Sequence, residues 1–254
     1  MKVIILIHGF LGEKGDFDNL IPHLQNHYDH IEAVTLPGHG EFRGKEPFEC
    51  EACLKKIIEI FDKIEKTSSQ IDVIGYSMGG ALAIYLSQNR SFNKLVLISP
   101  ACKYFNFRLP FSRYRLKYRL SKELKEAERN QDQDKVRELT SKLNHIKDDD
   151  KLSLDIVRKG KWEKGLLKNF MNFRRLIKEI NQGFKCIKNK TLILWGEIDQ
   201  LVPKKSIDYI TTKCVDYVQK TYENMSHLMI LSKHNKEVIT DIIEFLQEDK
   251  EQAW

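Results

Sequence analysis

Residues 75–79 read Gly75-Tyr76-Ser77-Met78-Gly79, and this stretch decides the fold. The apolar run 71–75 leads into it and the Ala- and Leu-rich run 78–87 leads out, so the motif sits where a buried strand turns into a buried helix. So sharp a turn strains the serine backbone and projects its hydroxyl. Glycines two residues to either side are needed because side chains there would strike neighbouring elements. Gly80 and Ala81 extend the small residues into the start of the helix. The placement favours a nucleophile over a structural turn serine.

Outward from this point, strands and helices alternate. Residues 3–7 form an apolar strand that stops at His8-Gly9. Residues 15–28 carry Phe17, Leu20, Ile21 and Leu24 at helical spacing, and 31–36 read as a second strand closed by Pro37-Gly38-His39-Gly40. Leu54, Ile57, Ile58, Phe61 and Ile64 share one helical face, and 95–98 is the fourth strand. After a long interruption come a strand at 191–195, a helix over 203–213, a weaker strand at 217–222 and a last helix marked by Val238, Ile242, Ile243 and Leu246. The order predicts an α/β fold, a mostly parallel sheet with helices on both faces.

The interruption, residues 101–188, shows no convincing strand. Leu116, Leu120 and Leu124, then Val136, Leu139, Leu143 and Ile146, recur three to four apart, so the segment reads as a helical insertion into one core made of residues 1–100 and 189–254. Asp148-Asp149-Asp150 reads as a loop within it. Of the net charge of +6, residues 100–189 carry +12 and the remainder −6. Arg108, Arg113, Arg115, Lys117 and Arg119 alternate with Phe105, Phe107, Phe111, Tyr114 and Tyr118. That block is read as a solvated helix face, with no nucleic-acid partner, and no feature supports contact with a membrane surface. Cys50 and Cys53 open an amphipathic helix without a second Cys pair, so they are expected to be a buried or incidental pair. Five cysteines, an odd number, and an initial apolar run too short for a leader place the protein in the cytoplasm.

A serine hydroxyl needs an imidazole to take its proton, and that imidazole needs a carboxylate to fix its tautomer. Where the nucleophile sits on such an elbow, the chain order is Ser, then Asp or Glu, then His. His227 follows the last predicted strand. His234, at the opening of the last helix, reads as solvated surface. Asp199 ends the loop Gly196-Glu197-Ile198-Asp199 directly after the strand at 191–195, with Glu197 as nearest rival and Asp208 and Asp216 less well placed. The backbone N–H groups of Met78 and of Phe10, in His8-Gly9-Phe10-Leu11-Gly12, are the expected oxyanion donors. His8 itself is assigned to ordering that loop rather than to acting as a second base. No cofactor and no metal is expected, since no cluster of His, Cys, Asp and Glu has ligand spacing.

Together with Leu36-Pro37-Gly38-His39-Gly40 and Gly196–Pro203, these residues resemble the α/β-hydrolase superfamily, and in particular small bacterial carboxylesterases and monoacylglycerol lipases. The resemblance covers the two core segments and implies that residues 101–188 form a cap over the active site. It implies hydrolysis of short- to medium-chain acyl esters or monoacylglycerols, small-molecule substrates, with Phe105, Phe107 and Phe111, beside Leu109 and Tyr114, lining the acyl pocket. The strand at residues 3–7 starts so early that the family's N-terminal hairpin is expected to be missing. A second resemblance is to the menaquinone-pathway lyase of the same fold, which eliminates pyruvate. That family typically has arginine after the paired glycines, where this chain has Ala81.

Overall fold

A computed structural model describes residues 1–106, 109–159 and 166–248. Among the described residues six strands form one sheet: β1 (Lys2–Ile7), β2 (His30–Val34), β3 (Gln70–Tyr76), β4 (Lys94–Ile98), β5 (Lys190–Gly196) and β6 (Tyr217–Tyr222). Their order is β2-β1-β3-β4-β5-β6 and every neighbouring pair is parallel. The chain goes from β1 to one neighbour, β2, and returns past β1 to the other, β3. The carboxyl ends of β1 and β3 therefore mark the place where helical connections part to opposite faces and leave a crevice.

Burial on both faces explains why β1 and β4 read as apolar runs, and β3 as one broken only by Asp72, which accepts from Tyr28 Oη at 2.7 Å. Val3, Ile5 and Ile7 cluster with residues of α2 (Cys50–Glu65), α3 (Met78–Asn89) and α7 (Lys204–Thr211). Ile4 and Leu6 cluster instead with α1 (Ile21–Leu24) and α8 (Lys236–Gln247). The helix expected over residues 15–28 is broken: a 3-10 turn at Lys14–Phe17 is followed by the single turn of α1. Pro22 has no N–H to continue an earlier helix and sits in the first turn of a new one. Phe17, Leu20 and Leu24 remain buried even so.

The insertion contains α4 (Leu109–Arg129), α5 (Gln133–Lys159) and α6 (Leu166–Gly183). α4 and α5 pack as an antiparallel hairpin around Leu116, Leu120, Ala127, Leu139 and Ile146. α6 packs elsewhere: Phe173, Leu176 and Ile180 join the cluster of α2 and α3. Asp148-Asp149-Asp150 is helical, within α5, where a loop was expected. Successive residues on a helix point about 100° apart, so three adjacent carboxylates reach three different partners. Lys233 meets Asp148 at 2.8 Å and Arg113 meets Asp150 at 2.7 Å.

Candidate active site

The elbow after β3 holds Ser77 at φ 53° and ψ −114°. Such a backbone persists only where its surroundings over-determine it. Ser77 N–H donates to the Ile98 carbonyl at 2.9 Å, and the Ser77 carbonyl accepts from Gly80 and Ala101, each at 3.0 Å. A Cβ on Gly75 would stand 2.4 Å from the Gly79 carbonyl oxygen, and one on Gly79 would stand 1.9 Å from that of Ile7. Both positions are closed to any side chain, which is why the motif needs glycine there.

The loops after β3, β5 and β6 bring Ser77, Asp199 and His227 into one hydrogen-bonded chain. His227 Nε2 lies 2.9 Å from Ser77 Oγ, and Nδ1 lies 2.9 Å from Asp199 Oδ2. Asp199 accepts only, so Nδ1 carries the proton and Nε2 is left to accept from the serine hydroxyl. Asp199 Oδ1 accepts the amides of Leu201 at 2.8 Å and Val202 at 2.9 Å, which fixes the carboxylate from its far side. The rivals lie apart: Glu197 is exposed, Asp208 pairs with Lys204 at 2.7 Å, and Asp216 precedes β6. His234 is exposed at the surface. It precedes α8, stacks on His145 with ring centres 4.2 Å apart and lies 3.5 Å from Asp148.

The loop after β1 runs against the serine, and a Cβ on Gly9 would meet Ser77 Cβ at 3.2 Å. Phe10 is held there by its ring, stacked on Phe173 at 5.1 Å. Among the described residues, neither the Phe10 nor the Met78 amide donates to a protein acceptor. His8 is fully buried and holds the loop from inside: Nδ1 donates to the Gly9 carbonyl at 2.8 Å, and Nε2 accepts the Leu36 amide at 3.2 Å. Burial, then the neighbouring His39, pushes its pKa down to about 3, so it stays neutral and cannot serve as a base near neutrality. Burial likewise lowers His39 to about 4.

A chamber of about 450 Å³ opens in front of Ser77 and His227. Phe105, Phe170, Phe173, Leu201, Leu228 and Leu231 form its apolar wall. Phe105 was expected there. Phe107 lies outside the described residues, as does the side chain of Phe111, and Tyr114 is 72% exposed and no part of the lining. Phe170 and Phe173 were missed because their helix was read only as cap. The other wall carries Glu13, Asp16 and Asp18 with one cation, Arg43, whose Nη2 donates to the Leu11 carbonyl at 2.6 Å. Burial raises the pKa of Asp16 to about 7. No sequence pattern marks these carboxyl groups, because their position depends on the broken helix.

The α4–α5 hairpin is fastened to the histidine loop. His145 Nδ1 donates to the Asn224 carbonyl at 2.5 Å, and buried Asp149 accepts a hydrogen bond from Ser226. Ile198, next to Asp199, is buried in the α4–α5 cluster. The cysteines are all unpaired, and burial pushes Cys50 and Cys53 up to about 12, so the C-x-x-C is inert as a thiolate site. Among the described residues no helix is long and apolar enough to cross a membrane.

A family model described as the alpha/beta hydrolase fold matches residues 2–233. A pimeloyl-[acyl-carrier protein] methyl ester esterase of Neisseria meningitidis is 34% identical over 87 residues, 34% of this chain and 31% of the relative. The match thus spans about a third of that relative's length. The human monoacylglycerol lipase ABHD6 is 22% identical over 264 residues, covering 96% of this chain and 74% of the lipase. Among solved structures, a meta-cleavage product hydrolase superposes with a TM-score of 0.66 at 19% identity, over 98% of this chain and 92% of the other. That likeness is one of fold.

Proposed function

The chain belongs to the α/β-hydrolase fold family, and from that premise we propose that it is a serine hydrolase cleaving carboxylic esters through an acyl-enzyme. The observation that carries the reading is the chain Ser77–His227–Asp199, with both hydrogen bonds at 2.9 Å. His227 takes the Ser77 proton as Oγ attacks the acyl carbon. The resulting imidazolium is held by Asp199, and the oxyanion is held by the amides of Phe10 and Met78. The ester C–O bond then breaks and His227 returns the proton to the leaving alcohol. Water, deprotonated by the same histidine, releases the acid and restores Ser77.

The chamber chooses among substrates. Its aromatic and aliphatic wall favours an acyl chain of short to medium length, and a methyl ester and a monoacylglycerol, named for two relatives, both satisfy that. Glu13, Asp16 and Asp18 outnumber Arg43 around the serine, which disfavours a carboxylated substrate and with it the pyruvate-eliminating alternative. The unpaired thiols are compatible with a reducing compartment and support a cytoplasmic location.

The test is Ser77→Ala. Hydrolysis of p-nitrophenyl butyrate should fall by about 10⁴-fold or more and labelling by a fluorophosphonate probe should vanish, with the circular dichroism spectrum unchanged. Turnover of the variant at a comparable rate refutes the assignment.

A further inference from the structure

Beside the Ser77 chamber lies a second and larger concavity, a groove of about 1090 Å³ between α6, the start of α7 and the segment that follows β4. Phe105 and Phe173 border both cavities, and their rings meet edge to face at 5.3 Å. The groove and the chamber therefore adjoin at these two rings. Its charge is one-sided. Lys103, Arg174, Arg175, Lys178 and Lys205 line it, and none of its lining residues is Asp or Glu.

Some cations elsewhere on this surface are balanced locally: Lys55 pairs with Glu59, Lys142 with Glu138 and Lys204 with Asp208. In the groove Arg175 meets Glu51 at 2.8 Å, but among the described residues no carboxylate lies within ion-pair distance of Lys103, Lys178 or Lys205. Aromatic rings hold two of these ammonium groups instead. Lys103 Nζ stands 4.1 Å from the Tyr209 ring centre and Lys205 Nζ 4.6 Å from that of Tyr104. A ring face orients an ammonium without accepting its charge or using up all its N–H donors. The walls are fixed as well. The Asn181 side-chain amide donates to the carbonyls of Cys102 and Ile177, and that of Asn106 donates to the Gln200 carbonyl at 2.9 Å.

We propose that this groove holds the phosphate-bearing leaving group of the substrate whose acyl chain occupies the Ser77 chamber. The assignment rests on the ester-cleaving reading of Ser77 and narrows it to acyl esters or thioesters of a phosphorylated alcohol or thiol. Several cations on one concave wall focus the field on a multiply charged anion, and a phosphate monoester offers close to two charges and three acceptor oxygens. In the reaction the acyl C–O or C–S bond breaks, the acyl carbon takes the hydroxyl of water and the leaving oxygen or sulfur takes its proton. The phosphate is bound and is not transferred. The carboxylates of the inner chamber and the cations of the groove thus divide the substrate into a neutral and an anionic part.

Two measurements test this with a Lys103→Glu/Lys178→Glu variant whose melting curve matches the parent. First, inorganic pyrophosphate is titrated calorimetrically into Ser77→Ala protein with and without the two groove substitutions. It should bind, and the substitutions should weaken it by about tenfold, since reversing two exposed charges is worth about 1.4 kcal/mol or more. Second, kcat/KM for octanoyl glycerol 3-phosphate and for octanoyl-coenzyme A is divided by that for p-nitrophenyl octanoate. At least one ratio should fall about tenfold in the variant, and should fall with added salt in the parent. Loss in the first arm identifies a lipid-type headgroup, and loss in the second a thioester carrier. Absence of pyrophosphate binding, or both ratios within twofold of the parent, overturns the proposal. A p-nitrophenyl octanoate activity that survives Ser77→Ala overturns the reading of Ser77 and leaves the pyrophosphate result standing.

Discussion

At the carboxyl edge of the sheet, Ser77, His227 and Asp199 are each less than a tenth exposed, and Ser77 and Asp199 are fixed by backbone hydrogen bonds as well as by their side-chain neighbours. The α4–α5 hairpin above them is made differently. Its cluster has five buried side chains of its own plus Ile198, and it is fastened to the histidine loop by His145, Asp148 and Asp149. The sheet edge is over-determined, so substitutions there should have large effects. The hairpin is held at a few points, so substitutions there should act in smaller steps.

The contrast is broken most directly at the acid. Asp199→Asn keeps a side chain of the same shape but presents an amide to His227 Nδ1 and favours the wrong tautomer, so kcat should fall about 10⁴-fold while the protein remains folded. Stopped-flow or steady-state rates with p-nitrophenyl butyrate check this. A loss of less than tenfold would mean that the carboxylate does no more for catalysis than a residue of the cap.

Next in size is the close approach beneath the elbow. Gly79→Ala drives a methyl group against the Ile7 carbonyl, 1.9 Å from where its Cβ would lie, and backbone cannot yield as a flexible side chain does. Overpacking there should cost about 3 kcal/mol or more of unfolding free energy, measured by urea denaturation. An alanine tolerated within about 0.5 kcal/mol would show that the strand-to-helix turn is looser than its geometry.

The loop behind the site has a pH signature of its own. His8 and His39 titrate near 6.5 when unfolded and at about 3 and about 4 when folded, so between those values the unfolded chain binds more protons. The stability these two histidines contribute is complete above pH 6.5 and is lost as pH falls toward 4. Asp16 acts in the opposite sense, because its folded value of about 7 means the native state holds a proton that the unfolded chain has released. His39→Asn should therefore flatten the acid-side loss by about 2 kcal/mol, and Asp16→Asn should steepen it. Denaturation midpoints at pH 4, 5, 6 and 7 check both signs. Parallel profiles for the three proteins would show that these groups are not buried as placed.

Much of the sheet edge was legible in the sequence because each of its requirements is local. The elbow needs glycine at fixed offsets, the acid must follow a strand end, and the histidine must follow the last strand. The cap was legible only as composition. The spacing of Leu116, Leu120, Leu139 and Ile146 gave helices, but not the fact that α6 packs on α2 and α3 while α4 and α5 stand apart. Three adjacent aspartates resemble a loop until their partners on α4 and before α8 are known. Asp16 and Arg43 reach the chamber through a tertiary arrangement that no spacing encodes.

The smallest expected effect is also the one that separates the two regions most cleanly. Leu120 is 5% exposed and lies in the hairpin cluster, where Ile198 is the one described residue from the sheet side. Leu120→Ala removes packing from that cluster and from nothing in the clusters on either face of the sheet. A substitution of this kind costs about 2 kcal/mol or more, which corresponds to a roughly 30-fold rise in local opening. If the hairpin opens as its own unit, amide exchange should speed up by that factor over 109–159 and stay unchanged in β3 and β4. The hydrolysis rate should change less than tenfold, through the Ile198 contact beside Asp199. Uniform acceleration in hairpin and sheet alike would mean that the two open together, and the distinction between a rigid edge and an adjustable cover would have to be given up.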